Sequence, residues 1–137
     1  MKNKKNIFTL IDANVNRAKE GLRVIEDVSR FIISNKKITL KLKSIRHDTD
    51  IALKLISADY LSLLKNRYSA DDAGRHSKNK SEFSRRNTLD IMISNFKRAE
   101  ESFRVLEEIS KLINPKAAHI FKELRYKTYE LEKETLL

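Results

Sequence analysis

Apolar residues recur through residues 9–34 with the period of a helix. At about 100° per residue, Val15, Ala18, Leu22, Ile25, Ser29 and Ile32 share one face, and Val24, Val28 and Phe31 extend it. Lys19, Glu26, Arg30, Arg23, Asn16, Asp27 and Glu20 take the opposite side. Arg17 interrupts the apolar sector, with Asn14 and Gly21 beside it. The pattern returns 81 positions later, from Asn14 to Asn95: Arg17/Arg98, Ala18/Ala99, Glu20/Glu101, Arg23/Arg104, Glu26/Glu107, Ser29/Ser110 and Ile32/Ile113 are identities. A repeat at fixed period marks a duplicated structural unit.

The elements follow from this pattern and its punctuation. Thr9-x-x-Asp12 has capping-box spacing, which predicts a first helix from about residue 10 to Ser34. A second helix is predicted over about 37–57, with Ile38, Leu42, Ile45, Thr49, Ala52 and Ile56 as its seam. Asp59 can cap a short helix at Tyr60–Leu64. Residues 66–87 are almost devoid of apolar side chains and predict a long central loop. A third long helix starts after Asn87/Thr88 and runs to about Ile113. Asn114-Pro115 starts the last, with a seam of Ala117, Phe121, Leu124, Thr128 and Leu131. Leu124-Arg125-Tyr126 matches Ile45-Arg46-His47, so the repeat embraces about 9–57 and 88–136. The expected architecture is all-α: one domain over 1–137, two helical hairpins related by a pseudo-two-fold axis and packed as a four-helix bundle.

Composition sharpens this picture. Two glycines and one proline suit an all-helical chain, and Gly21 and Gly74 lie too far apart for a P-loop and are too few for a dinucleotide fingerprint. Any phosphate must therefore be held by side chains. A net charge of +10 points to an anionic partner. Acidic residues are interleaved with the basic ones, and no unbroken basic stripe exists for nucleic acid. The chain has no cysteine, no membrane-spanning run and no signal-peptide pattern, which leads to the expectation of a cytoplasmic protein. His47, His76 and His119 are isolated, with no zinc spacing.

The chemistry left is that of arginines and carboxylates. Arg17 and Arg98 each lie in an apolar sector, and an arginine there either pairs with an acid or faces an anionic ligand. The first alternative is an interhelical pair of Arg17 with Glu101 or Glu107, and its reciprocal. The second is a polar pocket between the repeated helices, lined by Asn14, Arg17 and Glu20 with Asn95, Arg98 and Glu101. Gly21 and Ser102 would leave room for a ligand or for a close helix approach. Arg23, Arg46, Arg104 and Arg125 complete an inventory suited to phosphate oxygens, and carboxylates can hold Mg²⁺ against them. In the loop, Asp72-Ala-Gly74 lies between Arg67 and Arg85/Arg86, a carboxylate among phosphate-seeking arginines.

The ordered set Asp12-Ala-Asn14-x-Asn16-Arg17-Ala-x-Glu20-Gly21-Leu-Arg23, Arg46-His47, Arg67 with Asp72-x-Gly74, Asn95-x-x-Arg98-Ala-x-Glu101, Arg104 and Arg125-Tyr126 resembles a known family. It is similar to the all-helical hydroxymethylpyrimidine-phosphate kinase domain that many bacteria fuse ahead of thiamine-phosphate synthase. The resemblance implies transfer of the ATP γ-phosphate, with Mg²⁺, to hydroxymethylpyrimidine phosphate. It implies phosphate-neutralising roles for Arg17, Arg98, Arg23 and Arg104. Substrate contacts would come from Asn14, Asn95, Arg46, His47, Arg67, Arg125 and Tyr126, and Mg²⁺ ligands from Glu20, Glu101 and Asp72. The sequence stops at Leu137, so the product is expected to pass to a separate thiamine-phosphate synthase. The competing readings are a non-catalytic partner of that synthase and a basic helical module for nucleic acid. A symmetric homodimer is compatible with the sequence and is not required by it.

Overall fold

The structure is a computed structural model that describes residues 2–57, 59–67, 70–76 and 84–137. It is all-helical, and no described residue lies in a strand. The order is α1 (Lys2–Asp27), a π-helical turn (Val28–Ile33), α2 (Lys36–Lys54), α3 (Tyr60–Lys65), a 3₁₀ turn (Ala73–His76), α4 (Thr88–Ser110) and α5 (Pro115–Leu136). Helices α1 and α2 form one hairpin, α4 and α5 the other. α1 packs on α2 and α4, and α5 closes the ring by packing on α4 and α2. No described helix is long and apolar enough to cross a membrane.

Polar side chains at the helix starts explain the boundaries. Asn35 Oδ1 accepts from the Ile38 amide, Asn87 Oδ1 from Asp90 and Asn114 Oδ1 from Lys116, each satisfying a donor that the first turn leaves open. Asp59 caps α3 through the Leu61 amide at 3.0 Å. The first hairpin turns where the π-helical segment ends, with Ser34 in the left-handed region (φ 61°, ψ 40°) and the Asn35 amide on the Ser29 carbonyl at 2.8 Å.

Two expectations for α1 are corrected. The helix begins at Lys2, not near residue 10. Thr9 is no cap: its hydroxyl donates to the Lys5 carbonyl inside the helix and lies 2.7 Å from the Asn66 carbonyl. The buried arc is also narrower than the helical period alone indicates. Val15, Ala18, Leu22, Ile25, Val28 and Ser29 are buried, whereas Val24, Phe31 and Ile32 are exposed, because α2 and α4 cover only one side of α1. The other long helices end near their expected limits, at Lys54, Ser110 and Leu136.

The core is built from Phe96, Phe103 and Phe121 with Leu22, Ile25, Leu42, Leu106 and Leu124, all nearly or fully buried. The Phe103 and Phe121 rings join α4 to α5, with centroids 6.4 Å apart. Equivalent residues of the two hairpins make equivalent contacts. Thr49 donates to the Ile45 carbonyl and Thr128 to that of Leu124. Asn14 donates to the Leu10 carbonyl and Asn95 to that of Ile91. Ser29 and Ser110 are both completely buried.

Gly21 marks the crossing of α1 over α4. A Cβ there would stand 3.0 Å from the Asn95 carbonyl oxygen and 3.8 Å from the Arg98 Cβ. The small residue thus serves close helix approach. Its counterpart Ser102 is buried and donates to the Arg98 carbonyl at 2.7 Å.

Candidate functional site

A cleft of about 670 Å³ opens along the outer face of α1 where the central segment returns over it. From α1 come Asp12, Asn14, Asn16, Arg17 and Glu20, and from the central segment Arg67 and Asp72. Arg67 is fixed by a bidentate pair with Asp12, Nε to Oδ2 at 2.8 Å and Nη2 to Oδ1 at 2.9 Å. The pairing holds the Arg67 guanidinium above its ordinary value. Asp12 also accepts from the Asn16 amide at 3.3 Å. Asp72 accepts from the Gly74 amide at 2.8 Å, which closes the tight turn leading into the 3₁₀ segment.

Arg17 behaves differently from its neighbours. It is exposed, lines the cleft and makes no ion pair among the described residues. The expected pair with Glu101 or Glu107 does not form. Glu107 is committed to other arginines, and Arg17 lies outside the buried arc, where water can solvate it. Arg98, its counterpart on α4, is likewise exposed and without an ion pair among the described residues. The polar pocket expected between the two repeats is also corrected. Asn14, Arg17 and Glu20 share the cleft with the central segment, and Asn95, Arg98 and Glu101 are not among its lining residues.

The remaining arginines of the repeat form two matching triads. Glu26 is buried, and Arg46 meets it at 2.9 Å while Arg23 approaches to 3.8 Å. Glu107 is buried in the same way, with Arg125 at 3.0 Å and Arg104 at 2.6 Å. Arg23 and Arg104 also pair with Asp27 and Glu108, one turn on. Pairing with Glu107 raises Arg125 above its usual value. The helical wheel put Glu26 on the solvent side. The structure buries it, because α2 carries Arg46 across that side of α1. Arg23, Arg46, Arg104 and Arg125 therefore hold helices together before they meet any ligand. His47 is exposed, and Tyr126 stands edge-on to Tyr129 at 6.1 Å beside the Arg125 guanidinium.

A metal trio of Glu20, Glu101 and Asp72 is not assembled. Among the described residues no three His, Cys, Asp or Glu side chains gather as a metal site. Glu20 and Asp72 share the cleft, while Glu101 is exposed on α4. Two carboxylates fit Mg²⁺ when it arrives on phosphates, since this ion retains water and phosphate oxygens and takes few protein ligands. Asp12, absent from the expected site residues, proves central as the anchor of Arg67. Its partner is 55 positions away, so only its place at the head of the Asp12-Ala-Asn14-x-Asn16-Arg17 motif could have signalled it. Of the central loop expected over 66–87, residues 68–69 and 77–83 lie outside the described residues.

Comparison with known proteins agrees with this arrangement of motifs. The chain is 36% identical over 128 residues to a thiamine-phosphate synthase of Prochlorococcus marinus, a match covering 93% of this chain and 35% of that protein. It is 36% identical over 126 residues to that of Nostoc punctiforme, covering 92% and 34%. It is 31% identical over 130 residues to that of Rhodopirellula baltica, covering 95% and 34%. The chain thus spans about a third of the length of these relatives. No solved structure gives a significant match. A family model, that of the ThiD2 family, matches residues 9–134, nearly the whole chain and every cleft residue from α1 except Asn6, and the chain belongs to this family.

Proposed function

We propose that this chain acts in thiamine biosynthesis as a kinase that phosphorylates hydroxymethylpyrimidine phosphate to its diphosphate with ATP and Mg²⁺. The observation that carries the reading is Arg17. It is a permanent cation lining the same cleft as Arg67, with no carboxylate paired to it among the described residues. Family membership, and relatives named for a step in making thiamine phosphate, supply the chemical context.

In such a transfer the bond between the β-bridging oxygen and the γ-phosphorus breaks. A new bond forms from that phosphorus to an oxygen of the acceptor phosphate, and ADP departs. The acceptor oxygen is already ionised, so no general base is needed, consistent with a cleft that holds no histidine among the described residues. Catalysis then rests on positioning and charge neutralisation. Arg17 faces the transferring group, and Arg67, oriented by Asp12, holds a second phosphate. The amides of Asn14 and Asn16 border the same space, and Glu20 and Asp72 would hold Mg²⁺. Bound there, Mg²⁺ would supply charge neutralisation for the phosphates.

The test is incubation with Mg-ATP and hydroxymethylpyrimidine phosphate, following ADP and the pyrimidine diphosphate by mass spectrometry. Product is expected from the wild type. Arg17→Ala should lower turnover by about 10³-fold or more, the scale at which an arginine on a transferring phosphate acts, with its helical circular dichroism unchanged. A folded wild-type chain that yields no product with any nucleoside triphosphate sinks the proposal.

A further inference from the structure

A second cleft, of about 420 Å³, lies at the other end of α1, between the π-helical turn and the first half of α2. Its charge is of another kind. The α1 cleft carries three carboxylates against Arg17 and Arg67. This one carries five cations, Arg23, Arg30, Lys36, Lys43 and Arg46, against the single carboxylate Glu26. Glu26 is already shared by Arg46 and Arg23. Arg30, Lys36 and Lys43 make no ion pair among the described residues, and Arg30 lies over the Phe31 ring at 4.7 Å.

Holding so many like charges around one concavity costs energy that an anion would relieve. A solvated basic face spreads its lysines over a convex helix. Here the backbone turns inward, so residues from the end of α1 and from α2 converge. The second hairpin does not repeat the arrangement. Lys111, in the place of Arg30, is bound to Glu108, and Pro115 stands where the first hairpin has Lys36. The buried Glu–Arg–Arg core is common to both hairpins, and Lys43 has a counterpart in the exposed Lys122, so the unneutralised cations that set the first hairpin apart are Arg30 and Lys36.

We infer that this cleft is a binding site for a polyphosphate anion, the triphosphate tail of a nucleotide or an inorganic chain of the same length. One phosphate would leave most of these cations unmatched, whereas three linked phosphates carry enough charge to offset Arg30, Lys36 and Lys43 together. The inference does not depend on the kinase reading, since it concerns binding away from Arg17.

The experiment is calorimetric titration of the full chain with inorganic tripolyphosphate, ATP and AMP, without Mg²⁺. Tripolyphosphate should bind, and AMP at least tenfold more weakly. ATP equal to tripolyphosphate assigns the affinity to phosphates alone, and ATP tighter than tripolyphosphate adds a contact to the nucleoside. Either outcome supports the site when the double variant at Lys36 and Lys43 removes it. The double variant Lys36→Ala/Lys43→Ala should lose at least tenfold in affinity. In an Arg17→Ala background, which disables the α1 cleft, the loss caused by Lys36→Ala/Lys43→Ala should persist, and its disappearance overturns the inference. Wild type that fails to bind tripolyphosphate overturns the inference. So does an equal loss in Lys116→Ala/Lys133→Ala, two exposed lysines of α5 outside both clefts, since affinity would then follow net charge.

Discussion

Glu100 shows how one side chain can carry a pH dependence. Its carboxyl is buried on α4, and Lys97 Nζ lies 3.3 Å from it and 3.3 Å from Glu132 on α5. Burial, reinforced by the hydrogen bond and charge of Glu132 and opposed by Lys97, pushes Glu100 from its ordinary 4.5 up to about 7. The folded state therefore holds a proton that the unfolded chain has released. Stability contributed by this proton is complete below the unfolded value, declines as pH rises from about 4.5 to 7, and is lost above it. Urea denaturation of wild type should show that decline, on the order of 1–2 kcal/mol. Glu100→Gln should flatten it and be the more stable protein at pH 8. A wild-type profile that stays level from pH 5 to 8 would refute the assignment.

At the level of elements, the contact of α1 with α4 depends on a missing side chain. In an exposed helix, Gly→Ala adds about 1 kcal/mol of stability. At position 21 the new methyl meets the carbonyl oxygen of Asn95, a backbone atom that cannot swing aside. Gly21→Ala should therefore destabilise by about 1–3 kcal/mol, the usual cost of overpacking, seen as a lowered melting temperature. A neutral or raised value would mean that α4 yields easily. The central segment is tied to α1 in another way, by the bidentate Asp12–Arg67 pair and the contact of Thr9 with the Asn66 carbonyl. These links place Asp72 over α1 and so build the cleft from two parts of the chain.

For the whole molecule, the two Glu–Arg–Arg triads join each hairpin internally. Removing the central glutamate leaves one partly buried guanidinium, Arg46 or Arg125, without a counter-charge. Glu26→Ala and Glu107→Ala should each cost on the order of 2–4 kcal/mol. The triads share no partner, so the double variant should add the two costs to within about 0.5 kcal/mol, measured by the shift in urea midpoint. A strongly non-additive result would show that the hairpins do not contribute separately. The balance of charge also distinguishes the two clefts. Each arginine of a triad has an acidic partner, Arg46 and Arg125 the central glutamate and Arg23 and Arg104 also Asp27 and Glu108, while Arg17, Arg30, Lys36 and Lys43 are left for ligands.

The sequence alone determined the number and order of the long helices, the caps at Asp59, Asn87 and Asn114, the seams of α2 and α5, and the likeness of the two hairpins. These are local or periodic properties, written in the spacing of apolar residues and in the side chains that satisfy a first turn. Family resemblance was legible for the same reason, as an ordered string of motifs. Tertiary structure alone decided which polar residues meet. The helical wheel put Arg17 inside the apolar sector and Glu26 outside it, and packing reversed both. A wheel gives angles about one axis, whereas burial depends on where neighbouring helices lie and what they bring. Arg46 comes to Glu26 from 20 positions away and Arg67 to Asp12 from 55. Such distances have no period, so the clefts, and the difference in charge between them, appear only when the chain is folded.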